Sequence, residues 1–223
     1  MRRATDIVLA AVLLILLSPV LVLAAIGVRL SSRGSIFFRA QRVGRGGAPF
    51  EMLKFRTMHV HSGGPVITSH GDSRVFAFGS FLRKSKIDEL PQFYNVLKGD
   101  LSVVGPRPED PKIVTEHYTD WMLETLDVRP GITSPGAVYY YLLGEELVDP
   151  ADPERSYVER LLPAKLAVER AYLERANFVS DLKVVGLTAL AVLGPPFGLH
   201  VKPDARDLAT AERWAPASFR ALE

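Results

Sequence analysis

The sequence predicts an α+β chain with an apolar membrane element at its N-terminus, and three observations carry that expectation. Residues 7–28 contain no charged side chain. Two short runs of strand-forming residues flank a glycine cluster at 44–47. Apolar residues then recur at helical spacing, over 87–97 and again over 154–176. With 223 residues, 48% of them hydrophobic, the chain is long enough for one domain with a real core. No internal repeat, low-complexity tract or linker divides it.

The N-terminal segment, Ile7 to Val28, holds fifteen Leu, Ile or Val residues. At about 0.4 kcal/mol each they favour the bilayer by roughly 6 kcal/mol. A straight helix of that length would reach about 33 Å, enough to cross the hydrocarbon core. Ser18-Pro19 interrupts it near the middle, where proline removes a helix hydrogen bond at a cost of roughly 3 kcal/mol. Both flanks are basic, with Arg2 and Arg3 before and Arg29 and Arg33 after, so loop charge gives no strong orientation. The apolar stretch is longer than that of a cleaved signal peptide. A single kinked span and a re-entrant helix–break–helix both fit.

Next, Ile36 to Ala40 and Phe50 to Arg56 read as two strands of a hairpin around Gly44-Arg45-Gly46-Gly47. These glycines suit a turn better than a phosphate cradle, because no helix start follows them. Across this region Arg29, Arg33, Arg39, Arg42, Arg45, Lys54 and Arg56 face only Glu51, a balance suited to an anionic lipid surface or a phosphate ligand. Net charge overall is only +2, so the chain is no general binder of nucleic acid. Without cysteine it has no disulfide, thiolate metal site or lipoprotein attachment. His59-Val60-His61 opens a stretch to Asp72 that reads as a solvated loop, since a third metal ligand at defined spacing is missing.

The most informative run is Ser85 to Gln92, containing Asp88-Glu89, followed by Asn95 to Asp100 and Gly105-Pro106-Arg107-Pro108. Two adjacent carboxylates follow Arg83, Lys84 and Lys86 at the start of a short amphipathic helix. A carboxylate amid fixed positive charge stays ionised and can attack a phosphorus atom that anion repulsion would otherwise protect. A purely structural reading competes: Ser85-x-x-Asp88 fits a capping box, with Ile87, Leu90, Phe93, Tyr94 and Leu97 as the buried stripe and Lys98-Gly99 as the stop. That reading leaves Glu89, the upstream cations and the stiff Pro-Arg-Pro unexplained. Arg83 and Arg107 offer forked phosphate contacts that lysine cannot reproduce.

Farther on, Leu101 to Val104 is a short apolar run, and Arg129-Pro130-Gly131 reads as a turn with an arginine at its entry. A long charged amphipathic helix follows from Glu154 to about Ala176. Val184 to Leu193 is apolar but too short to span, so it packs on the core or lies in the interface. From Pro195 the tail is polar, with Trp214 as an anchor and no recognisable chemistry.

These residues resemble those of the bacterial sugar transferases, the monotopic polyprenyl-phosphate phosphoglycosyl transferases. The resemblance covers residues 1–193. It is carried by Lys54 to Met58, Asp72-x-Arg74, Phe81 to Lys84, Asp88 to Gln92, Asn95 to Asp100, Gly105 to Pro108, Arg129 to Thr133 and Asp181 to Lys183, in family order. It implies a mainly helical architecture: a re-entrant membrane element over 1–34 broken at Ser18 and Pro19, a catalytic domain over 35–193 with the small hairpin and interfacial helices, and a tail over 194–223 outside the inference. It further implies Asp88 as nucleophile, Glu89 as ligand to an essential magnesium, and Lys54, Arg56, Arg83, Pro106, Arg107, Pro108 and Arg129 on the substrate. The implied reaction moves a sugar phosphate from a nucleotide sugar, usually a UDP-sugar, to polyprenyl phosphate, at the cytoplasmic face of the bacterial inner membrane. The lipid bilayer is then a partner, nucleic acid is not, and a homodimer is compatible. An aspartyl phosphate keeps the transfer potential of the broken diphosphate, and magnesium suits one carboxylate plus diphosphate oxygens.

One departure stands out. Where many members continue Gly-Trp-Ala-Gln-Val after Arg129 to Thr133, this chain has Ser134-Pro135-Gly136-Ala137-Val138-Tyr139-Tyr140-Tyr141, a change that bears on sugar and nucleotide specificity. Two other functions compete. A magnesium phosphohydrolase would use the same carboxylate with water as acceptor and release sugar phosphate without lipid. A non-catalytic membrane adaptor would turn over no nucleotide sugar.

Overall fold

The computed structural model describes residues 3–60, 72–147, 149, 151–199 and 201–215. His61 and most of the loop up to Asp72 lie outside the described residues, as does Arg2. Helices dominate, with two small two-stranded sheets.

The apolar segment forms α1 (Arg3–Leu16) and α2 (Ser18–Ser31), bent by 62° at Leu17. Pro19 lies in the first turn of α2, where its missing N–H breaks no helix bond, and Ser18 Oγ donates to the Ile15 carbonyl at 2.7 Å. Neither helix alone is long and apolar enough to cross a membrane; the bent pair meets that measure only together. Val8, Ile15, Leu16, Leu23 and Leu30 remain exposed.

The other face of α1 is docked. Arg3 donates to the carbonyls of Val96 and Leu97 at 2.6 and 3.0 Å, where a cation meets the negative end of α4 (Gln92–Lys98). Asp6 is fully buried and accepts from Val103 N at 3.2 Å. In α2, Ala24 and Val28 pack with Phe55, Phe76 and Leu82.

Strands β1 (Phe37–Val43) and β2 (Pro49–Phe55) pair antiparallel from Phe37 opposite Phe55 to Val43 opposite Pro49. Gly46 and Gly47 supply the left-handed backbone of their turn, at φ 66° and 79°. Helix α3 (Ala77–Lys84) follows, then a 3-10 turn, Ile87–Glu89, leading into α4. Asn95 of α4 is spent on packing: its side chain accepts from Leu53 N and donates to Glu51 O and Asp100 Oδ2, locking α4 to β2.

Where the sequence suggests a turn at Arg129-Pro130-Gly131, a strand begins. The apolar run forms β3 (Ser102–Val104), and β4 (Gly131–Thr133) lies parallel to it. The signal is hidden because this contact depends on two glycines with no side chain to show a pattern. A Cβ on Gly105 would stand 2.5 Å from the Arg129 carbonyl.

The remaining helices build the second core: α5 (Pro111–His117), α6 (Asp120–Leu123), α7 (Pro135–Leu147), α8 (Pro153–Ser156) and α9 (Leu162–Leu173). The long helix expected over 154–176 runs through α8 and α9 with one π-helical turn, Tyr157–Leu161, just ahead of Pro163, whose missing N–H disturbs the helical ladder. An Asn177–Ser180 capping box starts α10 (Phe178–Leu193). Its Ser180, Asp181 and Val184 turn inward, while Val179, Leu182, Leu190 and Leu193 stay exposed. The tail packs onto this core. Its helix α11 (Ala205–Ala211) lies on α9, Arg175 pairs with Asp204 and Asp207, and the Trp214 ring centroid is 5.9 Å from that of Trp121.

Candidate active site

The short 3-10 turn presents the two carboxylates. Lys86, just before it, adopts a left-handed conformation (φ 57°), a costly geometry for a residue with a side chain. No side-chain cap forms here: Ser85 Oγ turns back to the carbonyls of Phe81 and Leu82 instead. The capping-box reading of Ser85 and Asp88 is therefore corrected. The left-handed Lys86 ends the preceding helical path before a cap can form.

Asp88 is only 7% exposed, and its Oδ1 has no hydrogen-bond partner. Burial and the neighbouring Glu89 push its carboxyl up to about 6, against the opposing pull of Lys54, Lys86 and Arg83. At pH 7 such a group is still mostly ionised. Glu89 has the opposite balance. Burial would raise it, but Arg107, Lys54 and Lys86 together hold it well below the usual carboxylate range. Its Oε1 accepts from Lys54 Nζ at 3.0 Å and from Arg107 Nη2 at 2.5 Å. Of two carboxylates one step apart, one is clamped and the other uncommitted.

Three further elements complete the site. Lys54 arrives on β2, and burial lowers its pKa. Arg107 extends from Pro106-Arg107-Pro108 beyond β3, with Nη1 donating to the Ile132 carbonyl at 3.0 Å. Tyr141 on α7 lies under Lys86, whose Nζ is 4.2 Å from the ring centroid. Arg83 stands close enough for its charge to act on Asp88.

The other predicted residues sit elsewhere or act through the backbone. Arg56 is buried and uses its guanidinium on Ser32, Ser35 and Met58, closing the turn after α2. The Pro106 carbonyl accepts from Gly131 N at 2.9 Å, and Pro108 is buried. Arg129 comes near through its backbone, against Gly105. Ser18 and Pro19 mark the bend of the N-terminal pair.

Sequence reasoning missed Tyr141 and a buried acid behind the site, Glu169. Tyr141 lies in the departing Ser134–Tyr141 segment and carries no pattern of its own. Glu169 did leave a trace: it falls three residues after Leu166 and four before Leu173, on the apolar stripe of α9.

Among the described residues no three His, Cys, Asp or Glu side chains gather as a metal cage. Magnesium, commonly held by one or two carboxylates and completed by phosphate oxygens and water, fits the Asp88–Glu89 pair, with Asp88 Oδ1 uncommitted.

The family model described as bacterial sugar transferase matches residues 1–195. A UDP-glucose:undecaprenyl-phosphate glucose-1-phosphate transferase of Caulobacter vibrioides is 38% identical over 197 residues, covering 86% of this chain and 69% of that protein. One of the same description from Xanthomonas campestris pv. campestris is 39% identical; the match covers 86% of this chain but only 39% of that protein. The exopolysaccharide production protein ExoY of Rhizobium meliloti is 33% identical, over 86% of this chain and 84% of that protein.

Proposed function

The chain belongs to the bacterial sugar transferase family, and on that premise we propose that it transfers a sugar 1-phosphate from a UDP-sugar to undecaprenyl phosphate. One observation carries the assignment of roles: Asp88 is buried among cations with one oxygen unengaged, while Glu89 beside it is held by two of them.

In this reading Asp88 attacks the phosphorus that bears the sugar. A carboxylate–phosphorus bond forms, the diphosphate bridge breaks, and uridine monophosphate leaves with the bond electrons. An oxygen of the lipid phosphate then attacks the same phosphorus and frees Asp88, leaving the sugar on a lipid diphosphate. Arg83 and Arg107 meet the phosphate oxygens, and Lys54 keeps Glu89 ionised and fixed in place. Magnesium, with Glu89 as its proposed protein ligand, would supply charge that offsets repulsion between carboxylate and diphosphate. Burial of Asp88 limits the access of water, which would otherwise waste the intermediate.

The bent α1–α2 pair is proposed to enter one leaflet and return, leaving the catalytic domain on the cytoplasmic side. Single cysteines placed near each end of the pair, in a chain that has none of its own, should resist an impermeant thiol reagent in intact cells. Labelling of the N-terminal one from outside would replace re-entry with a kinked span.

The function is tested by supplying the membrane-embedded chain with a panel of UDP-sugars and undecaprenyl phosphate, with and without magnesium. Lipid-dependent release of uridine monophosphate is expected, together with a sugar-phosphate mass adduct on the protein when donor alone is present. Free sugar phosphate released without lipid would point to the phosphohydrolase, and no turnover at all to the adaptor.

A further inference from the structure

Arg107 is held at both ends. Its guanidinium meets Glu89, but its backbone N–H points the other way and donates to Glu169 Oε1 at 3.2 Å. Glu169 lies on α9, only 1% exposed, well away from the carboxylate turn in sequence. The same oxygen accepts from Ser134 Oγ at 2.5 Å, and Ser134 Oγ in turn accepts from Ala137 N at 2.9 Å, at the first turn of α7. Gly136 leaves the room this needs, since a Cβ there would stand 2.6 Å from Oε1. Ser134 and Gly136, two of the residues of the departing segment, thus adjoin one buried acid.

A buried acid that is only a packing element is an expensive choice, because Leu would fill the space without a polar group. Glu169 is expensive in that sense: its Oε2 has no hydrogen-bond partner, and burial lifts the carboxyl to about 7. What it contributes is a fixed acceptor for the one amide donor in Pro106-Arg107-Pro108, since neither proline has an N–H. The two prolines stiffen the strap, and Glu169 sets where the strap lies.

We propose that Glu169 is a positioning residue, which through the Arg107 backbone N–H and the Ser134 hydroxyl fixes where the Arg107 guanidinium meets Glu89 and the substrate phosphate. The proposal rests on the sugar-phosphate transfer reading above. A shift of about 1 Å in such a group is enough to cost on the order of a hundredfold in rate.

The test compares Glu169→Leu, which removes the acceptor at similar volume, with Glu169→Gln, which keeps it, in the full membrane-embedded chain. Residues 106–108 hold a single exchangeable backbone amide, that of Arg107, because the other two are prolines, so amide hydrogen exchange there reports on it alone. Glu169→Leu should speed that exchange at least tenfold with α9 protection unchanged, and lower kcat for uridine monophosphate release at least tenfold with KM moved less. Glu169→Gln should stay within about threefold of the parent in both. In an Arg107→Ala background, Glu169→Leu should cost little more. Unchanged exchange over 106–108 overturns the proposal. So does a full second loss in the Arg107→Ala background, or loss of protection throughout α9, either of which makes Glu169 a residue of the fold alone. If the parent releases no uridine monophosphate from any donor, it is the transfer reading that fails; exchange and phosphate-analogue binding then decide the Glu169–Arg107 link by themselves.

Discussion

Two clusters in this molecule use the same chemistry to opposite ends. In the first, Lys54 and Arg107 clamp Glu89 beside Asp88. In the second, Glu109 accepts from Lys165 and from Tyr157 OH, and Lys165 Nζ also donates to Tyr157 OH at 2.9 Å. Both are largely buried, and both join carboxylates to cations. The second is closed, since each of its three side chains is partnered within the group. The first leaves Asp88 Oδ1 without a partner and carries more cations than its carboxylates need. What separates these two clusters is the unspent atom of Asp88, for burial and charge are common to both.

The largest expected effect is on the open cluster. Asp88→Asn keeps volume and polarity, so the fold should hold, while turnover should fall a thousandfold or more, about 4 kcal/mol of transition-state stabilisation. Circular dichroism and uridine monophosphate release measured together check this. Retained activity would put the nucleophile elsewhere and erase the contrast between the clusters.

The closed cluster should answer in stability instead. Lys165→Met leaves Glu109 buried without its cation and should cost about 3–5 kcal/mol, whereas Glu109→Gln combined with Lys165→Met should recover most of that loss. Urea denaturation of the solubilised protein reads both. If the single and double variants lose equal stability, the pair is not the self-contained unit described.

Neither cluster was fully legible beforehand. The hairpin and the helical break at Ser18-Pro19 announce themselves through period, proline and glycine, whereas the 3-10 turn that carries the two carboxylates does not. Asp88, Glu89, Lys54 and Arg107 are legible through their types and order, which carry the family resemblance. Lys165 and Glu169 fall within the charged amphipathic helix read over 154–176, and although Glu169 lies in phase with its apolar stripe, nothing in the sequence tells which partner either charge meets. Only the packing of α7 against α9 reveals that both are inside. Arg56 misleads in the other direction: its place in a basic motif suggests phosphate, yet its donors are used on the carbonyls and hydroxyl around Ser32. A pattern in one dimension gives residue type and phase, but not which partner consumes a donor.

The smallest expected effect sharpens the comparison by pH. Burial raises Glu169 from 4.5 to about 7. Folding therefore holds a proton that the unfolded chain releases earlier. Stability from this group is full below about pH 4.5, declines as pH rises, and is lost above about pH 7, a span of roughly 3 kcal/mol. Glu109 tilts the other way. Burial alone would raise it, but Lys165 and Tyr157 hold it low, so its contribution is present above the ordinary carboxylate range and fades in acid. Glu169→Gln should remove the decline between about pH 4.5 and 7 in chemical denaturation while leaving the acid limb. A slope unchanged by that substitution would assign the decline to another group.

The docking of α1 gives the proposed membrane setting a further meaning. Arg3 is tied to the end of α4, the helix that follows Asp88-Glu89, and Asp6 to β3, the strand that leads to Arg107. The proposed anchor and the reactive groups are thus tied by direct hydrogen bonds, and on the proposed re-entry the depth at which the bent pair settles would fix the height of Asp88 above the lipid. In that setting enzyme and acceptor would share a plane. Their encounter would become a search by lateral diffusion in two dimensions, at a preset altitude, and only the water-soluble donor would have to be found in three.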